Sequence, residues 1–372
     1  MTEVAIGTRH DLSCHGEEFL LDGRHTYEGR HCEGHKVQGL LLDVRAVQAT
    51  FDDANPETRS LWAYPDTGVW DPDRNTEELC EALPSWRAHG VLAFTVNFQG
   101  GGALYSPRIY DRYDNSGFTP RGDLKPAYAA RMERVLAAAD ALGMAVIVGL
   151  FYWRHMNKLR DERAVWRAAR SALDFLTRTG RRNVLIEVAN ETHDRFGYDL
   201  FRLEQAHEMI EELRHDYPGF LYSTSLVGAD PRTGSGMPPD SLVAACDYVL
   251  LHGNGATPDL LAEAIGAVRA LPAFAAKPKP IVINKDSVGI PNLEAAWRNY
   301  ASWGYFDQGY GGPDGWGGDL YVDFRSRPRE RRYEDLSGFQ TPPVNWTINT
   351  PHKRAFFGRV AEIVGEPSAT GS

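Results

Sequence analysis

The sequence lacks an apolar run long enough to cross a membrane. No stretch of its 372 residues approaches the roughly 20 consecutive apolar residues that a membrane-spanning helix requires. Its N-terminal segment also lacks the basic stretch followed by an apolar stretch that marks a secretory signal. These two absences predict a cytoplasmic protein without a membrane partner.

Basic residues and cysteines are also few. There are 40 Lys and Arg against 50 Asp and Glu, a formal net charge of −10. This balance disfavours nucleic acid as a partner, because a phosphate backbone attracts a basic surface. Widely spaced cysteines in a chain without an export signal predict free thiols rather than a disulfide framework. They are Cys14, Cys32, Cys80 and Cys246.

Eight short apolar runs alternate with amphipathic segments along the chain. Most of the runs are continuously apolar, which is typical of strands buried on both faces of a parallel sheet. Eight strand–helix units predict an α/β fold, a TIM (β/α)₈ barrel, and a doubly wound open sheet is the alternative. The runs are residues 39–44, 91–98, 145–152, 184–189, 220–226, 248–251, 280–283 and 304–306.

Two segments fall outside this repeat. Residues 1–36 predict a short β-rich N-terminal extension that could plug the barrel floor, and residues 37–372 form the barrel domain. Within that domain, residues 308–350 are rich in Gly, Pro and Trp and predict a long aromatic loop before a C-terminal helix from about His352. Long loops in compact domains are often functional, and a simple lid is the alternative.

The active site of a TIM barrel lies where its strands end. The fourth strand ends in Asn190-Glu191, so a carboxylate directly follows a buried run. We predict that Glu191 is a general acid/base and that Asn190 donates a hydrogen bond to substrate. The alternative is that Glu191 caps the next helix or pairs with a surface arginine.

The stretch NVLIEVANE resembles the acid/base strand of clan A glycoside hydrolases, the cellulase-like barrels of family 5 and its relatives. Further similar stretches are TVNFQGG, ALGMAVIVGLFY, SWGYFDQG and GFQTPPVNWTINTPHKRAFF, so the resemblance extends over most of the chain. It implies a barrel fold, a sugar or oligosaccharide substrate and an acid/base role for Glu191.

Other strand ends supply candidate substrate-binding residues. Aromatic faces and amide or imidazole donors are what a polyhydroxylated ring requires, although each residue has a packing role as its alternative. The resemblance implies an aromatic platform at Trp303. The candidates are Arg45, Asn97, Gln99, Tyr152, Asn190, His252, Asn254, Trp303 and Asp307.

One position departs from the family. Its nucleophile is a Glu at the end of the seventh strand, where this chain has Lys285. Retaining hydrolysis needs two carboxyl groups about 5–5.5 Å apart. An ammonium near Glu191 instead favours the ionised carboxylate and weakens it as an acid. Asp286 follows Lys285 but would point to the opposite face of a regular strand. Asp43 and Asp307, at the ends of the first and eighth strands, are other possible second carboxylates. They could serve an inverting geometry, in which about 6.5–9.5 Å separates the two carboxyl groups.

Several functions therefore stay open. The leading hypothesis is a glycoside hydrolase-like enzyme with altered chemistry at Glu191, Lys285 and Asp286. A lyase, isomerase or cyclase that uses Glu191 as base is the second, with Lys285 steadying an oxyanion or acting as a Schiff-base amine. A non-catalytic carbohydrate-binding barrel is the third. We predict no cofactor, and no metal, because the N-terminal histidines and cysteines match no structural zinc spacing.

Overall fold

Short antiparallel strands precede the barrel. A computed structural model describes residues 9–100, 112–307, 333–336 and 338–366. Strands β1 to β3 form one small sheet and β4 and β5 form a second. Their bounds are β1 Leu12–His15, β2 Glu18–Leu21, β3 Arg24–His25, β4 His31–Cys32 and β5 His35–Lys36.

The N-terminal sheet covers one end of the barrel. Phe19 on β2 is fully buried, and its ring lies 6.4 Å from that of Tyr248. Both rings belong to one apolar cluster with residues near the N-terminal ends of the barrel strands. This sheet therefore packs against the end of the barrel opposite the strand C-termini. The other members of the cluster include Leu41, Ala93, Ile147, Leu185 and Val282.

Eight parallel strands confirm the predicted TIM barrel. Their order in the sheet is β10-β9-β8-β7-β6-β13-β12-β11. The two edge strands meet through hydrogen bonds from Asp247 N–H to Tyr222 O and from Ala229 N–H to His252 O, both 2.8 Å, which nearly close the cylinder. The strands are β6 Asp43–Arg45, β7 Ala93–Asn97, β8 Ala145–Tyr152, β9 Val184–Asn190, β10 Leu221–Ser223, β11 Val249–His252, β12 Ile281–Lys285 and β13 Ser302–Tyr305.

Helices pack outside the strands and begin at local capping signals. Asp161 caps α4 by accepting a hydrogen bond from Ala164 N–H, and Gly180 ends this helix with a φ of +69°. The described helices are α1 Pro56–Arg59, α2 Pro72–Ala88, α3 Pro126–Ala141, α4 Glu162–Thr179, α5 Ala206–Asp216, α6 Asp240–Ala245, α7 Pro258–Arg269, α8 Pro272–Ala276, α9 Ile290–Arg298 and α10 Pro351–Val364.

Most of the predicted long aromatic loop, residues 308–332 and 337, lies outside the described residues. Its final part packs against α2. Trp346 Nε1 donates to Asn75 O at 2.9 Å, and Trp86 Nε1 donates to Trp346 O at 3.1 Å. This segment therefore fixes α10 beside the barrel. In the described part of the chain, no helix is long and apolar enough to span a bilayer.

Candidate active site

Glu191 lies directly after β9 in a strained backbone conformation. Its φ is +56°, a left-handed value that is uncommon for a residue other than glycine. Its N–H donates to Ser225 Oγ, which lies just after the neighbouring strand β10, at 2.9 Å. This hydrogen bond helps to hold the strained conformation that directs the Glu191 side chain towards the strand ends.

Three donors converge on one oxygen of Glu191. Oε1 accepts from Lys285 Nζ at 2.5 Å, from Asn254 Nδ2 at 2.8 Å and from His252 Nδ1 at 3.0 Å. No described residue donates to Oε2, and the side chain is 13% exposed. The structure therefore brings together four predicted residues and leaves Oε2 as the oxygen available to a substrate.

A bulge in β12 places Lys285 in this cluster. The β11–β12 register shifts by one residue, so that Ile283 pairs with Leu251 and Lys285 pairs with His252. In a regular strand Lys285 would face away from Asn284, whose side chain lies inside the barrel. The extra residue turns both side chains towards the same centre, as bulges next to active sites often do.

The charges in the cluster favour an ionised Glu191. Although burial by itself raises the pKa of Glu191, the Lys285 ammonium and the His252 hydrogen bond hold this pKa well below its ordinary value. Burial lowers the pKa of His252 to about 3, so its imidazole is neutral at pH 7. The proton of this imidazole then lies on Nδ1, because that atom contacts the Glu191 carboxylate.

Arg45 adds a second cation beside the pair. It ends β6, is 2% exposed, and donates from Nη2 to Asn190 Oδ1. The Arg45 and Lys285 cations lie 5.9 and 5.6 Å from the centre of the same ring, that of Phe306. Phe306 was not predicted as a site residue. Its place at the end of the eighth predicted run, residues 304–306, was the signal that could have identified it.

Glu187 is a buried carboxyl group that the sequence analysis also missed. Its side chain has no exposed surface and its Oε1 accepts from Ser225 Oγ at 2.5 Å. Asn284 Nδ2 lies 3.5 Å from Oε2, and His252 Nε2 lies 3.8 Å from Oε1. Burial raises the pKa of Glu187 despite the opposing charge of Arg45. A charged residue inside an apolar strand, VLIEVAN, was the available signal.

We expect Glu187→Gln to have an unchanged or higher free energy of unfolding at pH 7. The raised pKa means that ionised Glu187 costs stability above the pKa of an unfolded Glu, about 4.3, and this cost is absent at lower pH. Glutamine keeps the acceptor for Ser225 without that cost. Glu187→Ala should instead lose about 2–4 kcal/mol, because it leaves a cavity and an unpaired hydroxyl group. Urea unfolding measures both, and equal losses in the two variants would contradict this interpretation.

Asp43 does not form a second carboxylate at the strand ends. It is fully buried, and neither of its oxygens has a hydrogen-bond partner among the described residues. It lies against Gly304, where an added Cβ would come within 2.3 Å of Oδ1. Burial raises its pKa well above the ordinary value, which disfavours the ionised form that the partner carboxylate needs in hydrolysis.

The structure contradicts the predicted roles of Asp286 and Trp303. Asp286 is buried, and its Oδ2 accepts from Asn292 Nδ2 at 2.6 Å and from Trp303 Nε1 at 3.1 Å. Trp303 is fully buried and its ring lies 5.8 Å from that of Phe356 on α10. Both side chains therefore stabilise the region between β12, β13 and the helices, and the indole presents no face to a sugar.

Gln99 and Asp307 are likewise engaged elsewhere. The Gln99 side chain accepts from Tyr152 N–H at 3.0 Å and donates to Ser116 Oγ at 3.2 Å, so it joins two loops. Asp307 Oδ2 accepts from Tyr305 OH at 2.7 Å, and its carbonyl group accepts from Phe339 N–H. These contacts hold both side chains in place, and their role as substrate-binding residues stays a prediction.

Asn97 and Tyr152 stay candidates. Asn97 ends β7, is 1% exposed, and has no described partner for either atom of its amide. Tyr152 ends β8 and pairs with Asn190 in the β8–β9 ladder. An amide without partners, buried near the strand ends, suits a ligand that carries hydroxyl groups. In the described ranges, no group of three or more His, Cys, Asp or Glu side chains could hold a metal ion.

Comparisons with known proteins agree with the fold. No family model and no curated protein sequence matches the chain. The endo-β-1,4-mannanase of Thermotoga petrophila is 16% identical over 90% of this chain and 78% of its own, with a TM-score of 0.51. A glycoside hydrolase family 5 mannosidase of Rhizomucor miehei is 12% identical over 96% of this chain and 98% of its own, also with a TM-score of 0.51.

The β-1,4-D-mannanase of Cryptopygus antarcticus is similar in the same way. It is 14% identical over 91% of this chain and all of its own, with a TM-score of 0.50. Identities this low concern the fold and leave the chemistry of the site open. The chain therefore has the barrel fold that its sequence resemblance to glycoside hydrolases implied.

Proposed function

We propose that the protein is an enzyme for sugar-type compounds whose reaction begins with proton removal by the Glu191 carboxylate. The observation that carries this proposal is the convergence of Lys285, Asn254 and His252 on Oε1. Three donors to one oxygen stabilise the anion and weaken Glu191 as an acid. A carboxylate held in this way can accept a proton at Oε2.

The same groups can stabilise the product of proton removal. When a proton leaves carbon next to a carbonyl group, negative charge develops on the carbonyl oxygen. The Lys285 ammonium, 15% exposed, is the cation nearest to Glu191 and can stabilise that oxygen. The buried guanidinium group of Arg45 supplies further positive charge beside the Lys285–Glu191 pair. This division of roles favours isomerisation or elimination over cleavage of a glycosidic bond.

Among the described residues, none supplies the second carboxylate that retaining hydrolysis requires. The Asp286 carboxylate accepts hydrogen bonds from Asn292 and Trp303. Asp43 is buried, and its pKa is raised. Glu187 contacts His252 and Ser225 but has no exposed surface. The sugar-type substrate is supported by the neighbouring structures, which are mannanases and a mannosidase. It is also supported by the amide groups of Asn97 and Asn190.

Proton NMR in deuterated water tests this function. The purified protein is incubated with a panel of aldoses, ketoses and their acids, and with manno-oligosaccharides. We expect deuterium at the carbon next to the carbonyl group of at least one sugar, without new reducing ends from the oligosaccharides. Release of reducing ends without exchange would support hydrolysis instead. Binding without either reaction would support the non-catalytic barrel.

A further inference from the structure

A cavity of about 430 Å³ lies between the loops that follow β9 and β10. One side is formed by Thr192 and His193, which come directly after Glu191. The other side includes Leu226 and Val227, which come directly after Ser225. Because Ser225 also holds the Glu191 backbone, the cavity and the carboxylate share the same two loops.

The walls of this cavity are mainly aliphatic on one side. Leu203, Leu226, Val227 and Met237 line it, and no Trp, Tyr or Phe is among the described residues that line it. Leu203, Val227 and Met237 are half-buried, so apolar surface faces the open space. The backbone at Gly236 packs closely against the backbone at Val227, and a Cβ added to Gly236 would lie 2.1 Å from Val227 O. A sugar ring gains little from such walls, whereas an apolar group gains by leaving water.

The opposite side is polar. His193 lines the cavity, and its Nδ1 is buried without a described hydrogen-bond partner. Its ring packs edge-on against Trp153 at 5.6 Å, and Arg195 lies 5.7 Å from the same indole. The loop after β9 therefore brings polar groups and Leu203 to the cavity, and the loop after β10 brings Leu226, Val227 and Met237. Its volume is that of a small-molecule site.

We propose that this cavity binds an alkyl or aryl group attached to the sugar part of the substrate. The sugar part of this inference rests on the proposed function, and the apolar part rests on the cavity alone. A substrate of this class would place its hydroxylated portion at Glu191 Oε2 and its apolar substituent against Val227 and Met237. The enzyme would then act on substituted sugars rather than on plain polysaccharides.

NMR of ¹³C-methyl methionine tests the inference, since the chain has six methionines and Met237 lines the cavity. The probes are methyl and hexyl β-glycosides of glucose and of mannose, used below micelle-forming concentrations. Each buried methylene group strengthens binding by up to about fourfold. We expect hexyl glycosides to shift the Met237 signal at concentrations at least about tenfold lower than methyl glycosides. The signal of Met209, which is buried on α5, should not move.

A filled cavity should abolish this dependence on chain length. We expect Val227→Trp to bind hexyl and methyl glycosides equally in calorimetry, and the milder Met237→Gln to weaken hexyl binding about threefold or more. Val69→Trp, at a position that is 63% exposed, is the matched control and should behave as the wild type. The inference would be overturned if hexyl and methyl glycosides shifted the Met237 signal of the wild type at equal concentrations. It would also be overturned if the Met237 and Met209 signals shifted equally.

The two proposals fail separately. Glu191→Gln should keep the preference for hexyl over methyl glycosides, because the cavity walls are unchanged, but it should lose deuterium exchange. A protein that catalyses exchange without this preference would have the proposed function and not the proposed cavity ligand. A protein that shows the preference without exchange would retain the cavity ligand and lose the proposed function.

Discussion

Replacement of Glu191 by glutamine is expected to lower the turnover rate by a factor of about 10²–10⁴, the usual contribution of a general base. Glutamine keeps the shape of the side chain, and its carbonyl oxygen can still accept from Asn254 and His252. It cannot accept a proton at the atom that faces the substrate. The deuterium-exchange reaction measures this loss directly. Glu211→Gln, at an exposed position on α5, is the matched control and should keep full activity.

The pH dependence of the same reaction follows from the charges around Glu191. Lys285 and His252 hold the pKa of Glu191 well below its ordinary value against the effect of burial, so the base stays ionised throughout the neutral range. Activity should therefore decline only at pH values below the ordinary range of Glu, about 4.3. Burial lowers the pKa of Lys285 below 10.5, so activity should also fall on the alkaline side as Lys285 loses its proton. Loss of activity as the pH rises through about 6 would instead show that Glu191 must be protonated and works as an acid.

The barrel could be predicted because its strands are buried on both faces. VLAFTVNF, AVIVGLFY and VLIEVA are mostly apolar, and each forms a strand; β7 and β8 lie within the predicted ranges, and β9 extends one residue further, to Asn190. The prediction of the first barrel strand was less accurate, because it covers residues 39–44 whereas β6 spans Asp43–Arg45. Leu41 instead donates its N–H to the Ser302 hydroxyl group, a side-chain contact that periodicity does not reveal.

Prediction of the site succeeded for residues that lie at the ends of strands. It was less successful where the direction of a side chain depends on the alternation of side chains along a strand. Glu191 and His252 lie at the ends of their strands, and the structure brings them together. Lys285 was predicted through the family resemblance, but no pattern in PIVINKDS indicates the bulge that turns it towards Glu191. Trp303 follows regular alternation and points outward, so the predicted platform is wrong. Glu187 was missed because a charged residue in an apolar strand was treated as part of the strand.

The pairing of Lys285 with Glu191 explains why both charges can exist at this depth. Removing two ions from water costs several kcal/mol for each, and the cost is recovered only through close contact and further hydrogen bonds. Here the contact is 2.5 Å, and Asn254 and His252 supply the additional bonds. Either residue alone would be a buried charge without its counterion. The fold therefore depends on both members of the pair as much as the proposed chemistry does.

Lys285→Met is accordingly expected to lower the free energy of unfolding by about 3–5 kcal/mol at neutral pH, the cost of leaving one buried charge unpaired. The loss should depend on pH in a defined direction. In the wild type the lowered pKa of Glu191 adds stability that is complete above the unfolded value of about 4.3 and is lost at lower pH. In the variant burial acts without Lys285, so the pKa of Glu191 rises and ionisation costs stability instead. Urea unfolding should show a larger deficit at about pH 7.5 than at about pH 4.5.

Lys279→Met separates this effect from the loss of any buried lysine. Lys279 is 2% exposed, but its Nζ donates to the carbonyl oxygens of Val243 and Cys246, both at 2.5 Å, and forms no ion pair with a carboxylate of the described residues. Its replacement should destabilise the protein by a similar amount at both pH values, because no ionisable partner is left behind. If Lys285→Met also gave a deficit independent of pH, Glu191 would not be the charge that Lys285 neutralises. The general-base mechanism would then lose its electrostatic foundation, since it requires this ammonium to keep Glu191 ionised.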